Sequence, residues 1–223
     1  MRSSRHIFIA AAALILLGAA GAPGQETVYR RGDSNGSGDV DISDPLHLLN
    51  FLFSGGRAPR CRAEADVNRS GTIDISDAVA LLSFLFSGVG DLQALTPEED
   101  VSCAEPWVVR SGEMVGVLPY VSEERGVQGT VEELSNRTIR IRNFYYDGGG
   151  GGRTYVWLHR GGDLRTGRPI SPSIRRDFPG WVNETLEYAI PDEIPEDMFH
   201  SVAVWCYDFD LNFGSARLLA PSS

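Results

Sequence analysis

A duplicated segment in the first half of the chain restricts the fold more than any other feature of the sequence. Residues 33–55 read DSNGSGDVDISDPLHLLNFLFSG and residues 66–88 read DVNRSGTIDISDAVALLSFLFSG, so 15 of 23 aligned positions are identical. Self-similarity at this level indicates a duplicated structural unit. Each copy begins with oxygen-bearing side chains and ends in an apolar run, which predicts a polar loop followed by a helix.

The apolar half of each copy has helical periodicity. Asp44 and Asp77 stand where the helices begin, a place that favours a carboxylate, and Gly55 and Gly88 stand where they end. Because one such helix cannot bury its own apolar stripe, we expect the two helices to pack against each other. The predicted stripes consist of Leu46, Leu49, Leu52 and Phe53 in the first helix and of Val79, Leu82, Leu85 and Phe86 in the second.

The polar half of each copy has the composition of a calcium-binding loop. Calcium takes six to eight oxygen ligands, and a twelve-residue loop supplies them from positions 1, 3, 5, 7, 9 and 12, with glycine at position 6. Gly38 and Gly71 occupy position 6 in the two copies. We therefore predict two calcium ions. Their ligands would be Asp33, Asn35, Ser37, Asp39 (backbone carbonyl), Asp41 and Asp44 in the first loop, and Asp66, Asn68, Ser70, Thr72 (backbone carbonyl), Asp74 and Asp77 in the second.

The charge and the N-terminal residues favour an exported protein. The chain has 30 acidic and 20 basic residues, a net charge of −10, which does not suit nucleic-acid binding because phosphates must be neutralised by bases. Residues 1–24 place Arg2 and Arg5 before the apolar segment 7–20 and end in small residues. This pattern predicts a signal peptide cleaved after Gly24, and hence a secreted, periplasmic or cell-surface protein with no transmembrane span after cleavage. An uncleaved anchor is the alternative.

The three cysteines allow one disulfide within the chain. Export makes a disulfide feasible, and an odd number leaves at least one thiol unless chains are cross-linked. Cys61 lies between the two loops and Cys103 lies after the second, whereas Cys206 lies far away in a different kind of sequence. We expect a Cys61–Cys103 disulfide and a free Cys206.

The second half of the chain has a different sequence pattern. Residues 91–106 show no periodicity and are predicted to be a linker, and residues 107–220 alternate short β-rich runs with turns. About seven runs at this spacing predict an all-β, sandwich-like domain, so the chain is expected to be multidomain, a small α-helical module followed by a β domain. The five glycines at 148–152 predict a flexible hairpin loop. No hydrolase signature occurs, and we expect no enzymatic activity.

The run SVAVWCYDFDLNF, residues 201–213, is read as one strand. Alternation places its aromatic side chains on one face, which is expected to be the core face, and Cys206 on the other. A half-buried inert thiol and a redox-active or metal-ligating thiolate are the two interpretations of Cys206. Trp157 and Trp181 are candidates for contacts with a sugar, should they be exposed. The predicted aromatic face consists of Trp205, Tyr207, Phe209, Leu211 and Phe213.

Residues 30–90 resemble dockerin modules, which carry two loop–helix calcium motifs of this length with Asp at position 12. The resemblance implies docking on a cohesin domain of a scaffold or cell-surface protein. It also implies that loop positions 10 and 11 contribute to the docking face, and these are Ile42, Ser43, Ile75 and Ser76.

Residues from about 110 to 220 resemble the DM13 domain through GTVEELSNRTIRIRNFYYDGGG, TYVWL and VAVWCYDFDLNFGSARL. The resemblance implies a surface β domain with a redox or electron-transfer role, in which Cys206 matches the family's near-invariant cysteine, with an unidentified redox centre and an electron-transfer partner. We hypothesise an exported modular calcium-binding protein whose dockerin-like module anchors this domain. The alternative is a carbohydrate-binding or polysaccharide-degradation accessory protein docked on a cohesin.

Overall fold

The structure, a computed structural model, describes residues 28–117, 126–147, 152–177 and 179–220. Helices occupy the first part of this range and an antiparallel β-sheet occupies the second, so the predicted fold class is confirmed. The predicted signal peptide lies outside the described residues. None of the helices within them has the length and apolarity needed to cross a bilayer.

The two apolar runs of the duplication form the two long helices. Their C-terminal ends have the same geometry. Gly55 and Gly88 take left-handed φ values of 65° and 61°, and their N–H groups donate to the carbonyls of Asn50 and Phe84. Glycine adopts this conformation without strain, and so it ends a helix readily. The four helices are α1 (Ser43–Ser54), α2 (Arg62–Ala65), α3 (Ile75–Ser87) and α4 (Pro97–Cys103).

The small core of the helical module coincides only in part with the stripes that the spacing predicted, of which Leu49 and Leu85 pack against it. The two helices do pack against each other, and Leu48 and Leu81 are fully buried between them. The predicted stripe is wrong at four positions, because both helices carry apolar residues on more than one face and spacing alone cannot choose between them. The exposed residues are Leu46 (58%), Phe53 (67%), Val79 (54%) and Phe86 (73%).

The segment predicted to be a linker contains helix α4 and folds back onto the helical module. Thr96 and Glu99 form a capping box at its start, a local signal that TPEE carries in the sequence. The buried guanidinium of Arg31 donates to Glu99 (2.7 Å) and to the carbonyls of Ala63 (2.9 Å) and Asp66 (2.6 Å). The predicted Cys61–Cys103 disulfide is present at the end of α4, and Cys206 is free.

The β domain is one curled antiparallel sheet. Within the described residues its order is β5-β4-β7-β8-β1-β2-β3-β6. The main core contains side chains from seven of these strands, among them Val131, Ile141, Val204 and Phe213. The strands are β1 (Val108–Val117), β2 (Gly126–Leu134), β3 (Thr138–Tyr146), β4 (Thr154–His159), β5 (Arg168–Pro169), β6 (Trp181–Ala189), β7 (Ser201–Cys206) and β8 (Leu211–Arg217).

The run predicted to be one strand is a hairpin, so the expected aromatic core face is wrong except at Phe213, which lies in the main core. β7 ends at Cys206 and pairs there with Leu211 at the start of β8. The turn between them includes Asp210 at a φ of 56°, which an aspartate tolerates. Cys206 faces the main core together with Val202 and Val204. Trp205 packs in a second cluster on the other face, and the exposed residues are Tyr207, Phe209 and Leu211.

The two modules contact each other where the β domain begins. The indole N–H of Trp107 donates to the carbonyl of Pro59 (2.9 Å), and its ring meets Phe51 edge-on at 6.2 Å. The hydroxyl of Ser135 donates to the carbonyl of Arg60 (3.4 Å). A cleft of about 540 Å³ lies along this junction, with apolar walls and with Arg110 among its polar lining residues.

The disulfide is expected to stabilise the helical module. Cys61 and Cys103 are 42 residues apart, and in the chain-entropy model closing a loop of this length adds about 4 kcal/mol to the free energy of unfolding. We predict that the Cys61→Ser/Cys103→Ser variant unfolds its helices at lower urea, measured by far-ultraviolet circular dichroism. Cys206→Ser, which removes a thiol outside the module, should leave that transition in place. An unchanged midpoint in the double variant would contradict the prediction.

Candidate functional site

The first polar loop is organised around the carboxylate of its first residue. Asp33 is fully buried, and its two oxygens accept the N–H groups of Ser37 and Gly38, each at 2.9 Å. Gly38 has a φ of 95°, the sharp turn for which glycine is needed at position 6. The second loop repeats these bonds at Asp66, Ser70 and Gly71.

The last residue of each loop closes it and opens a helix. Asp44 is fully buried, and its oxygens accept the N–H groups of Asn35 (3.2 Å) and Asp41 (2.8 Å). Burial raises the pKa of Asp44, and the neighbouring carboxylates of Asp33 and Asp41 raise it further against the lowering effect of the two N–H bonds. Asp77 is the equivalent residue of the second loop, and it accepts the N–H groups of Asn68 and Asp74 in the same way. Its pKa is raised for the same reasons.

The remaining predicted ligands line the same two loops. The hydroxyl of Ser37 donates to the carbonyl of Asp39 (3.2 Å), and the hydroxyl of Ser70 donates to the carbonyl of Thr72 (3.1 Å). Both carbonyls are predicted ligands at position 7. Carboxylate, amide, hydroxyl and carbonyl oxygens therefore line each loop, and this donor set fits calcium. In the described ranges no three His, Cys, Asp or Glu side chains form a metal-holding group, so each loop would depend on its amide, hydroxyl and carbonyl oxygens as well.

The serines at position 11 hold the ligand at position 9. The N–H and hydroxyl of Ser43 donate to Asp41 at 2.7 and 2.6 Å, and these bonds lower the pKa of that exposed carboxylate. Ser76 does the same for Asp74. These two predicted docking residues are thus also part of the loops.

The apolar surface beside the loops is duplicated as well. Ile42 and Ile75 are exposed by 46% and 55%, and each is followed on its helix by the exposed residues that were predicted to be buried. Spacings of four and eleven residues place all of them on one face of each helix. We call these two equivalent sets together the outer stripe, and they consist of Ile42, Leu46 and Phe53 at the first helix and of Ile75, Val79 and Phe86 at the second.

Cys206 lies in the core of the β domain, with 1% of its surface exposed. The backbone of Gly152 covers the sulfur so closely that a Cβ there would lie 2.7 Å from Sγ and 3.0 Å from the ring of Phe209. The last glycine of the run at 148–152 is therefore needed for this contact; residues 148–151 lie outside the described ranges. Tyr146 belongs to the same core, and burial raises its pKa to about 12.

The two tryptophans considered for sugar binding do not offer an open ring face. Trp157 is 6% exposed, its indole N–H donates to the carbonyl of Leu164 (2.8 Å), and its ring lies 6.5 Å from that of Trp205. The guanidinium of Arg176 covers the ring of Trp181 at 3.5 Å. The sequence could not predict these contacts, because the residues that make them lie outside the strands that carry the two rings.

The comparison with protein families follows the same division of the chain. Residues 31–85 match the family model described as the dockerin type I domain, and residues 118–218 match the model described as electron transfer DM13. The chain carries a dockerin type I domain followed by a DM13 domain. Dockerin type I domains bind calcium and typically bind cohesins. Searches of curated proteins and of solved structures gave no match.

The burial of Cys206 leads to a prediction about its reactivity. Thiol–disulfide exchange needs direct access of the reagent to the sulfur, so the folded protein should react with Ellman's reagent only as fast as the DM13 domain opens. In guanidinium, with the Cys61–Cys103 disulfide kept oxidised, one thiol per chain should react at once. The Cys206→Ser variant should give no signal in either condition. Complete labelling of the native protein within seconds would show that the thiol is accessible.

Proposed function

We propose that this chain is an exported assembly protein in which the calcium-loaded dockerin domain docks on a cohesin-like or cell-surface partner and so positions a redox-active DM13 domain. The proposed role is non-catalytic. The observation that carries it is the duplicated pair of loops, each complete in oxygen donors and each joined to an exposed apolar stripe on the helix that it opens. The export step is supported by the composition of residues 1–24.

Calcium is the cation that these loops suit best. Asp44 and Asp77 are buried carboxylates whose pKa values are raised by desolvation and by neighbouring carboxylates, so a cation placed among them would relieve both effects. The same two residues lie in the first turns of α1 and α3. Calcium would therefore stabilise the packing of the two helices, because it fixes the loop at the start of each.

The outer stripe is the surface that we assign to the partner. Its six apolar side chains come in pairs from the two copies of the duplication, so they present similar chemistry twice. Exposed apolar side chains grouped on one face of a helix commonly mark an interaction site. The polar residues Ser43 and Ser76 lie beside it and are hydrogen-bonded into the loops, which would make the shape of this surface depend on calcium.

Removal of one carboxylate from each loop tests the calcium assignment. By isothermal titration calorimetry we expect the unaltered protein to take up two calcium ions and the Asp33→Ala/Asp66→Ala variant to take up none, because position 1 of both loops is lost. The variant should lose helical signal while the near-ultraviolet spectrum of the DM13 domain persists. Asp91→Ala, an exposed aspartate outside the loops, is the control for lost charge. Unchanged calcium uptake by the double variant would reject the loop assignment.

Charges placed on the outer stripe test the docking assignment. Leu46→Glu/Val79→Glu alters exposed side chains, so it should change the free energy of unfolding by less than about 1 kcal/mol and leave calcium uptake intact. We expect the unaltered protein to bind an immobilised cohesin domain in calcium but not in EDTA, measured by surface plasmon resonance, and the variant to bind in neither. Binding that survives either EDTA or the two charges would contradict this assignment.

The redox part of the proposal rests on Cys206 and on the match to the DM13 family. The experiment is an absorption spectrum of the mature protein before and after dithionite, with Cys206→Ser as the matched variant. An absorption band that changes on reduction and is missing from the variant would support a redox centre at this cysteine. A plain protein spectrum would reject a stable chromophore there, and the DM13 domain would then be positioned for another purpose.

A further inference from the structure

Arg60 lies across the first calcium loop although it is not part of it. Its guanidinium Nη2 is 3.4 Å from the carboxylate oxygen Oδ2 of Asp33, the buried residue at loop position 1. The stem of Arg60 packs on Gly36 at position 4, where a Cβ would lie 3.1 Å from Cδ and Nε of the arginine. A positive charge therefore stands beside a predicted calcium ligand.

A buried glutamate holds this arginine in place. Glu64 is fully buried and accepts two bonds from Arg60, from Nε to Oε2 and from Nη2 to Oε1, both at 2.9 Å. It also accepts the backbone N–H of Arg30 at 2.7 Å. Because two parallel bonds fix a guanidinium in orientation as well as in position, Arg60 remains against the loop and does not swing freely in solvent.

The second loop lacks this pair. At the equivalent positions, 33 residues later, Gln93 replaces Arg60 and Pro97 replaces Glu64. The basic residues near the second loop contact backbone carbonyls or other side chains, not its first carboxylate. Arg62 donates to the carbonyl of Gly71 (2.6 Å), Arg31 donates to the carbonyl of Asp66 (2.6 Å), and Arg69 donates to the side chain of Gln93. Among the described residues no arginine forms an ion pair with Asp66.

We propose that the Arg60–Glu64 ion pair sets the calcium affinity of the first loop independently of the second. The inference rests on the calcium function proposed above. A guanidinium beside Asp33 opposes the approach of a cation to that carboxylate, and the carboxylate of Glu64 behind it offsets part of this effect. Groups that contact a ligand without touching the metal commonly change affinity by tenfold or more. Arg60 and Glu64 are thus positioning and tuning residues of this site.

The charges give an order of affinities that a purely structural role would not produce. Removal of the arginine charge alone should tighten calcium binding, and removal of the glutamate charge alone should weaken it. Removal of both should return the affinity of the first loop close to its original value, slightly tightened because Arg60 is the member that contacts Asp33. If the pair only held the fold together, each single change would weaken binding.

The test measures calcium binding to the first loop in the full chain carrying Asp66→Ala, which disables the second loop. By isothermal titration calorimetry we expect Arg60→Met to lower the dissociation constant by about tenfold, Glu64→Gln to raise it by a similar factor, and the double variant to lie near the parent. The control is Arg57→Met, which removes the same charge from an exposed arginine in the same segment. Circular dichroism in saturating calcium checks that each variant keeps its helices.

Two further comparisons make the result decisive. In the reciprocal Asp33→Ala background, Arg60→Met should leave the second loop unchanged. With both loops intact, Arg60→Met should shift one of the two dissociation constants, so a poorly folded Asp66→Ala background cannot hide the effect. Unchanged or weaker binding in Arg60→Met, or an equal gain in Arg57→Met, would overturn the inference while leaving calcium binding in place. No calcium uptake by the unaltered protein would instead reject the proposed function, and this inference with it.

Discussion

The helical module depends on two buried aspartates, Asp44 and Asp77, that do three things at once. Each accepts two backbone N–H groups from its own loop, each lies in the first turn of a helix, and each carries charge into a place with no solvent contact. A buried carboxylate is costly unless it is hydrogen-bonded and its charge is compensated. The N–H groups meet the first condition, and a cation in the loop would meet the second. We therefore expect calcium binding and the folding of this module to be coupled.

The junction between the modules follows from the way the helical module is closed. The Cys61–Cys103 disulfide ties the end of α4 to the segment before α2, and only three residues separate Cys103 from Trp107. Trp107 then bonds back to Pro59, two residues from the disulfide. The start of the DM13 domain is thus fixed to the helical module within a few residues, so whatever holds the outer stripe also holds the β domain close to it.

The features that the sequence predicted well are those set by local patterns. The glycines that end α1 and α3 and the Cys61–Cys103 pairing depend on spacing within or near the duplication. The features that were missed depend on what approaches from elsewhere in the chain. Leu48 rather than Leu46 is buried in α1 because of where α3 lies. Trp205 and Cys206 take the opposite faces from those expected because both faces of β7 are covered, one by the main core and the other by the cluster around Trp157. Alternation identifies two faces of a strand but not which one is covered.

The packing of Cys206 limits the ways in which its sulfur could take part in redox chemistry. For Cys206 to take part in thiol–disulfide exchange, its own sulfur must reach a sulfur of the partner disulfide, in line with the S–S bond that breaks. With Gly152 and Phe209 against the sulfur and the core behind it, that approach is closed in the native fold. A role for Cys206 in electron transfer therefore requires either local opening of the backbone at Gly152 or transfer through the packed residues around it. The fate of the contact between Gly152 and Sγ distinguishes these two routes. Local opening must break this contact, whereas transfer through the packed residues leaves it intact.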